Sequence, residues 1–182
     1  RCESCGAWNS LAEESDNAAI PGAKTSARGG RIIALESVAG SGIAHLLKDA
    51  YGQFLSEFDR EEGGFGSFPK FPPACPLSFL LRYWKRNRDP KALEMVEKTL
   101  RKMREGGIYD QIGGGFHRYA TDAAWRVPHF EKMLYDQALL ARTYLEAYQA
   151  TRKEEYAQTA HEIFDYVLRN MTAPGGAFYS AE

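Results

Sequence analysis

Gly106-Gly107-Ile108-Tyr109-Asp110-Gln111-Ile112-Gly113-Gly114-Gly115-Phe116-His117-Arg118-Tyr119, continued by Trp125-Arg126-Val127-Pro128-His129-Phe130-Glu131-Lys132-Met133-Leu134-Tyr135-Asp136-Gln137, is a glycine- and aromatic-rich loop that runs into a helical pattern. Such a loop, set between apolar helices, is where a helical scaffold carries a binding site. On both sides of it apolar residues recur at helical spacing. Upstream, Ile43, Leu46, Leu47, Ala50, Phe54 and Phe58 predict a helix over 43–59, closed by Gly63-Gly64. Pro76 opens a second helix with Leu77, Leu80, Leu81 and Trp84 on one stripe. Asp89 as N-cap and Pro90 at the first position start a third, with Leu93, Val96, Leu100 and Met103 inward and Gly106-Gly107 as its stop. Downstream, a fourth helix is expected from Pro128 to about 150 on Phe130, Leu134, Ala138, Ala141, Leu145 and Tyr148. A fifth covers 153–171 on Tyr156, Ala160, Ile163, Phe164 and Val167.

The loop is also one copy of a repeat. Gly63-Gly64-Phe65, Gly114-Gly115-Phe116 and Gly175-Gly176-Ala177-Phe178 recur at intervals of roughly 50 to 60 residues, as stacked helical hairpins would space them. Helix pairs with glycine-aromatic turns on one side can close into an α/α toroid around a central pocket. Five helices are too few to close a toroid of six hairpins, and an apolar flank left open by half a toroid favours self-association. The start at Arg1 and the stop just after the third turn read as a piece of something longer.

At 182 residues, 44% hydrophobic and 13% aromatic, the chain has enough apolar material for a packed core. Its 23 Lys and Arg against 24 Asp and Glu leave a net charge of −1, which gives no electrostatic reason to expect nucleic acid or an anionic membrane as partner. No apolar run reaches the roughly 18 to 20 residues of a membrane span, and no basic-then-apolar leader opens the chain. A cytoplasmic protein acting on a neutral small molecule or a protein is the expectation. Residues 1–42 differ from the rest, rich in Gly, Ala and Ser with breakers at Pro21-Gly22, Gly29-Gly30 and Gly40-Ser41-Gly42, and with one short apolar alternation, Arg31 to Val38, that predicts a weak strand. The domains expected are therefore an irregular segment over 1–42 and a helical domain over 43–182.

The stretches Gly63 to Pro72, Gly107 to Tyr119, Val127 to Gln137 and Phe178 to Glu182 resemble the YyaL family of thioredoxin-domain-containing proteins, which includes the spermatogenesis-associated thioredoxin-like proteins. The resemblance covers about two thirds of the chain. It implies an all-α fold, an incomplete (α/α)6 toroid similar to those of six-hairpin glycosidases and of N-acylglucosamine and cellobiose 2-epimerases, without the family's thioredoxin-like domain. The first residues, Arg1-Cys2-Glu3-Ser4-Cys5-Gly6-Ala7-Trp8, are similar instead to half of the zinc finger of the bacterial RadA (Sms) DNA-repair protein. Arg31 to Ile43 resembles the linker that follows that finger. No phosphate-binding Gly-x-x-x-x-Gly-Lys-Ser/Thr loop accompanies it. Together the two resemblances imply a junction of unrelated fragments between about Gly40 and His45.

In a toroid, the loop from Asp110 to Asp122 and the segment at Pro128 sit at the mouth of the pocket. Epimerisation or isomerisation beside a sugar carbonyl needs one group to remove a proton and another to return it, and His117 and His129 could supply both. Glu131, Asp110 and Asp136 offer the carboxylates of a glycosidase. Arg118 and Arg126 would hold a carbonyl or hydroxyl, Phe116, Tyr119 and Trp125 would stack on a sugar face, and Lys70 lines the wall. The alternative for each is structural: His129 and Glu131 as caps of a helix starting at Pro128, Asp136 bound to a loop amide, Lys70 in a rigid extended stretch, and the whole pocket as a non-catalytic sugar- or peptide-binding scaffold. His45 and His161 read as solvated helix positions. Cys2 and Cys5 form half of a zinc site, and structural zinc needs four ligands, so no cofactor is expected unless the missing pair is supplied. Cys75 or His45 is a remote substitute, and a redox pair would need a preceding strand.

Overall fold

The computed structural model describes residues 35–182. Cys2, Cys5, most of the irregular segment and the start of the expected strand at Arg31 lie outside the described residues. Five helices follow one another: α1 (Leu35–Glu57), α2 (Ala74–Asn87), α3 (Pro90–Glu105), α4 (Leu134–Thr151) and α5 (Glu154–Asn170). Between α3 and α4 lie two short antiparallel strands, β1 (Tyr119–Ala120) and β2 (Pro128–His129), with Tyr119 opposite His129 and Ala120 opposite Pro128.

Helix α3 shows how local signals make an element. The Asp89 side chain accepts from the Lys91 amide at 3.0 Å, Pro90 occupies the first turn, and Gly106 ends the helix. Its buried residues, Ala92, Met95, Val96, Thr99, Leu100 and Met103, fall on one face. Burying each large side chain among them contributes roughly 1.5 to 3 kcal/mol. The tight links α2–α3 and α4–α5 turn on Arg88 and Arg152, both left-handed, and make two antiparallel hairpins. The hairpins pack α2 against α4. There Glu146 receives Arg82 at 2.8 Å and Ser78 at 2.8 Å, and the Tyr144 hydroxyl donates to the Leu100 carbonyl of α3 at 2.8 Å.

Three expectations are corrected. Helix α1 begins at Leu35 and runs through Gly40-Ser41-Gly42, so Leu35 to Val38 is helical rather than strand, and the helix crosses the expected boundary at 42. A glycine costs a helix only about 1 kcal/mol against alanine, which the surrounding helix formers outweigh. Within α1, Leu46 is 68% exposed, while Tyr51 is buried and stacks on Tyr83 at 4.2 Å. The fourth helix starts at Leu134, not Pro128, and its inward stripe is Gln137, Leu140, Ala141, Tyr144 and Ala147. Phe130 and Leu145 point outward. The reason lies in long-range pairing. The Arg118 amide donates to the Glu131 carbonyl at 2.7 Å and the Lys132 amide to the Glu182 carbonyl at 2.9 Å, which draws 128–133 into extended contacts that a helix could not satisfy.

The glycine repeats are one structure used more than once. Phe58 bridges Phe65, Tyr109 bridges Phe116 and Thr172 bridges Phe178, all antiparallel. In the first turn Asp59 Oδ1 accepts from the Glu61 and Glu62 amides at 2.9 and 3.0 Å, and Lys70 Nζ reaches Asp59 Oδ2 at 2.5 Å and the Gly63 carbonyl at 2.9 Å. In the second, Asp110 Oδ1 accepts from the Ile112 and Gly113 amides at 2.9 and 2.8 Å, and Lys132 Nζ reaches Asp110 Oδ2 at 2.8 Å and the Gly114 carbonyl at 2.9 Å. The third turn has Ala173 where the others have aspartate, and it closes on backbone bonds to Ala177 and Gly176.

Candidate functional site

Four extended backbone segments lie side by side next to the second turn. Lys70 exchanges both its backbone hydrogen bonds with Ala120, at 2.9 and 2.8 Å; β1 pairs with β2; and Lys132 exchanges both of its own with Glu182, at 2.9 Å each. The loop joining β1 to β2 is held by Asp122, whose carboxylate accepts from the Ala124, Arg126 and Val127 amides. Partial burial pushes that carboxyl up, but those amides outweigh it and hold it below the usual carboxylate range.

On this frame Arg118, Glu131 and Asp136 act on one another, while His117, next to Arg118 in the chain, meets Phe130, Lys132 and Asp110. His117 is 7% exposed; its Nδ1 is buried without a partner, and its ring meets Phe130 edge-on at 5.3 Å. Burial, reinforced by the Lys132 ammonium and opposed by Asp110, holds its pKa below the ordinary histidine value, so the ring is neutral at pH 7. Arg118 Nη1 binds Glu131 Oε2 at 2.8 Å, which raises the guanidinium further, while its Nε is buried and unpartnered. Asp136 sits in the first turn of α4. Burial pushes its carboxyl up to about 6, with Arg118 pulling it down and Glu131 adding to the rise, and its Oδ2 has no partner. Beside this cluster runs an aromatic row: Phe71 on Tyr119 at 4.9 Å, then Tyr119 stacked on His129 at 4.8 Å. His129 Nδ1 lies 3.9 Å from Glu131 Oε2.

Other nominated residues are placed elsewhere. Trp125 and Phe116 are fully buried: the indole donates to the Glu62 carbonyl at 2.8 Å, and Phe116 packs on Tyr109 and Tyr144. Neither ring has a face free for a sugar, because each plugs the core behind a glycine pair. Lys70 is 2% exposed and ties the first turn together, so it is not a wall against substrate. Asp110 has both oxygens engaged in the second turn; partial burial pushes its carboxyl up, but the Lys132 ammonium and the turn amides outweigh this and hold it down at about 2. Arg126 is exposed on the β1–β2 loop. His129 and Glu131 lie in extended backbone and cap no helix. Phe71, Tyr135, Lys132 and Gln137 carry no site role in the sequence analysis, and Phe130 is placed there in a helix core. The lysine had a signal: Asp59 and Asp110 each precede their glycine pair by four residues.

Among the described residues no group of three or more His, Cys, Asp or Glu is placed to hold a metal, and Cys75 is exposed. A small cavity of about 100 Å³ lies away from the cluster, lined by Leu100, Arg104, Tyr144 and Tyr156 among others. Among the described residues no helix is long and apolar enough to cross a membrane.

No family model matches the chain. It is 50% identical over 136 residues to human spermatogenesis-associated protein 20, covering 72% of this chain and 17% of the relative. The mouse protein of that name is 45% identical over 143 residues, covering 76% of this chain and 18% of the relative. The chain thus spans under a fifth of the length of these homologues. A DNA repair protein RadA from Brucella abortus is 43% identical over 67 residues, 35% of this chain and 14% of that protein. Among solved structures, a sugar epimerase from a ruminal bacterium superposes with a TM-score of 0.70 at 18% identity, over 78% of this chain and 39% of that one. Cellobiose 2-epimerase from Bacillus thermoamylovorans gives 0.67 at 14% identity, over 78% and 41%. A family 76 glycoside hydrolase from Bacteroides thetaiotaomicron gives 0.61 at 17% identity, over 81% and 40%. At these identities the likeness is one of fold: the chain has the architecture of part of an (α/α)6 toroid.

Proposed function

We propose that the chain is part of the toroid of a YyaL-type protein like spermatogenesis-associated protein 20, and that the cluster of His117, Arg118, Tyr119, His129, Glu131 and Asp136 binds a carbohydrate or related polyhydroxy molecule. The observation that carries this reading is a pair of buried side-chain atoms without partners on two charged groups that act on one another, Arg118 Nε and Asp136 Oδ2, with His117 Nδ1 a third such atom on the residue next to Arg118. Leaving one buried polar group unsatisfied costs about 1 to 3 kcal/mol, so these atoms call for a ligand or water that satisfies them. The row Phe71, Tyr119 and His129 supplies the stacking face that Phe116 and Trp125 do not.

In this reading His117, neutral at pH 7, accepts the proton beside a carbonyl that Arg118 polarises, and His129 returns it, which is epimerase or isomerase chemistry. A glycosidase reading is favoured by Asp136, whose carboxyl raised to about 6 suits a general acid beside Glu131. A non-catalytic binder would use the same aromatic row and Arg118. Phe164, Leu168, Phe178 and Tyr179, all exposed, are the apolar face through which self-association is proposed. Turnover by this stretch alone is expected to be absent. The test is to titrate the labelled chain with cellobiose and with mannose while following ring resonances by NMR. Shifts at His117, His129 and Tyr119 support the reading. Silence there, or shifts confined to residues near Tyr156, overturn it.

A further inference from the structure

Gln137 is a wholly buried polar side chain in a helix stripe otherwise made of Leu, Ala, Thr and Tyr. Its Oε1 accepts from the Phe116 amide at 2.8 Å, and its Nε2 donates to the Phe116 carbonyl at 2.6 Å. One side chain thus takes both backbone groups of a residue 21 positions away, as a strand partner would. On each side of this clamp stands a group of the cluster: His117 follows Phe116 in the chain, and Asp136 precedes Gln137. The neighbouring backbone is tied as well, by the His117 amide to the Ile108 carbonyl at 2.8 Å and the Arg118 amide to the Glu131 carbonyl at 2.7 Å. Those two bonds fix the loop against other loops, whereas the Gln137 clamp fixes it against helix α4.

We infer that Gln137 is the positioning residue of the cluster: its double bond to Phe116 fixes the loop that carries His117 and Arg118 against helix α4, which carries Asp136. A buried amide in an apolar stripe is costly unless both its dipole ends are satisfied, and here both are satisfied by one peptide unit. Leucine or methionine would fill the same space and pack better, so the glutamine sacrifices apolar burial for a defined loop-to-helix geometry. The amide also holds the His117 ring in its buried place beneath Phe130, with Lys132 and Asp110 as the charged groups facing it. The inference deepens the proposed carbohydrate site, but its test needs no ligand, so either can fail alone.

The experiment is a pH titration of the four histidines by NMR in the intact chain, in Gln137→Met, and in Leu140→Ala as a control with a loosened α4 core. In the intact chain His117 titrates below the ordinary value near ~6.5. In Gln137→Met it should move up toward that value, and in Leu140→Ala it should stay low. An unchanged His117 in Gln137→Met, or an equal rise in Leu140→Ala, overturns the inference. Should Gln137→Met fail to fold, the intact chain still decides: the Gln137 side-chain amide protons should shift with the same midpoint as His117, and amide protons indifferent to that titration overturn it.

Discussion

Substituting alanine at two adjacent glycines of the second turn separates backbone strain from crowding. Gly114 and Gly115 both adopt left-handed backbone, with φ of 80° and 78°. A side chain in that region costs a non-glycine residue about 1 to 2 kcal/mol. At Gly114 a new Cβ would meet nothing nearer than Tyr166 Cβ at 3.5 Å, ordinary contact, so Gly114→Ala costs the backbone amount alone. At Gly115 it would lie 2.5 Å from Tyr166 Cδ1. That ring is 1% exposed, carries Lys132 Nζ 4.4 Å from its centroid, and donates its hydroxyl to Glu182, so it has nowhere to retreat. Overpacking of this kind adds about 1 to 3 kcal/mol, for a total of about 2 to 5 kcal/mol. Urea unfolding of both variants, with unchanged slope, should place the Gly115→Ala midpoint well below that of Gly114→Ala, and melting temperatures should differ by about 2 to 10 °C. Equal destabilisation, or a larger loss at Gly114, would show that the turn does not close against Tyr166 as described.

Lys70→Met and Lys132→Met should each cost about 2 to 4 kcal/mol in urea unfolding, because each strands an aspartate and a carbonyl in a partly buried turn; a near-zero loss for Lys70 would contradict its role as a tie. Asp136 should make stability fall as pH rises: its folded pKa of about 6 stands above the ordinary 3.8, so the native state keeps a proton that the unfolded chain releases. Asp136→Asn is therefore expected to match the parent near pH ~4 and to be more stable by about 1 to 2 kcal/mol near pH ~8, allowing for partial exposure, with thermal melts across that range as the check. Trp125→Ala should cost about 3 to 5 kcal/mol, whereas Tyr119→Ala should cost about 1 kcal/mol or less and abolish saccharide-induced shifts; the reverse order would return the stacking role to the indole.

Much of the architecture was legible because its signals are local. Asp89-Pro90 and Gly106 carry their own capping chemistry, and the helix between them follows the sequence stripe. The repeats were legible as glycine-aromatic turns, and the structure shows them sharing one bridging pattern. Pro128 carried an equally good local signal and was misread, because the partners of 128–133 are Tyr119, Arg118 and the Ser180 to Glu182 segment, remote in sequence. The candidate site split the same way. Residue type nominates His117, Arg118, His129, Glu131 and Asp136, of which Arg118, Glu131, His129 and Asp136 are linked through Glu131. Aromatics following glycines suit a ligand face or a core plug equally, and only packing reveals that Trp125 and Phe116 are plugs while Phe71 and Tyr119 are not. Gln137 looked like an ordinary polar helix position, since nothing in its neighbours announces a peptide unit waiting across the turn.

The most direct test of the proposed site is crystallography of the chain soaked with cellobiose. The account predicts a sugar ring lying along Phe71, Tyr119 and His129, with hydroxyls reaching Arg118 Nε and Asp136 Oδ2. A sugar seated instead against Leu100, Arg104 and Tyr156, or ordered water alone satisfying His117, Arg118 and Asp136 at saturating sugar, would contradict it.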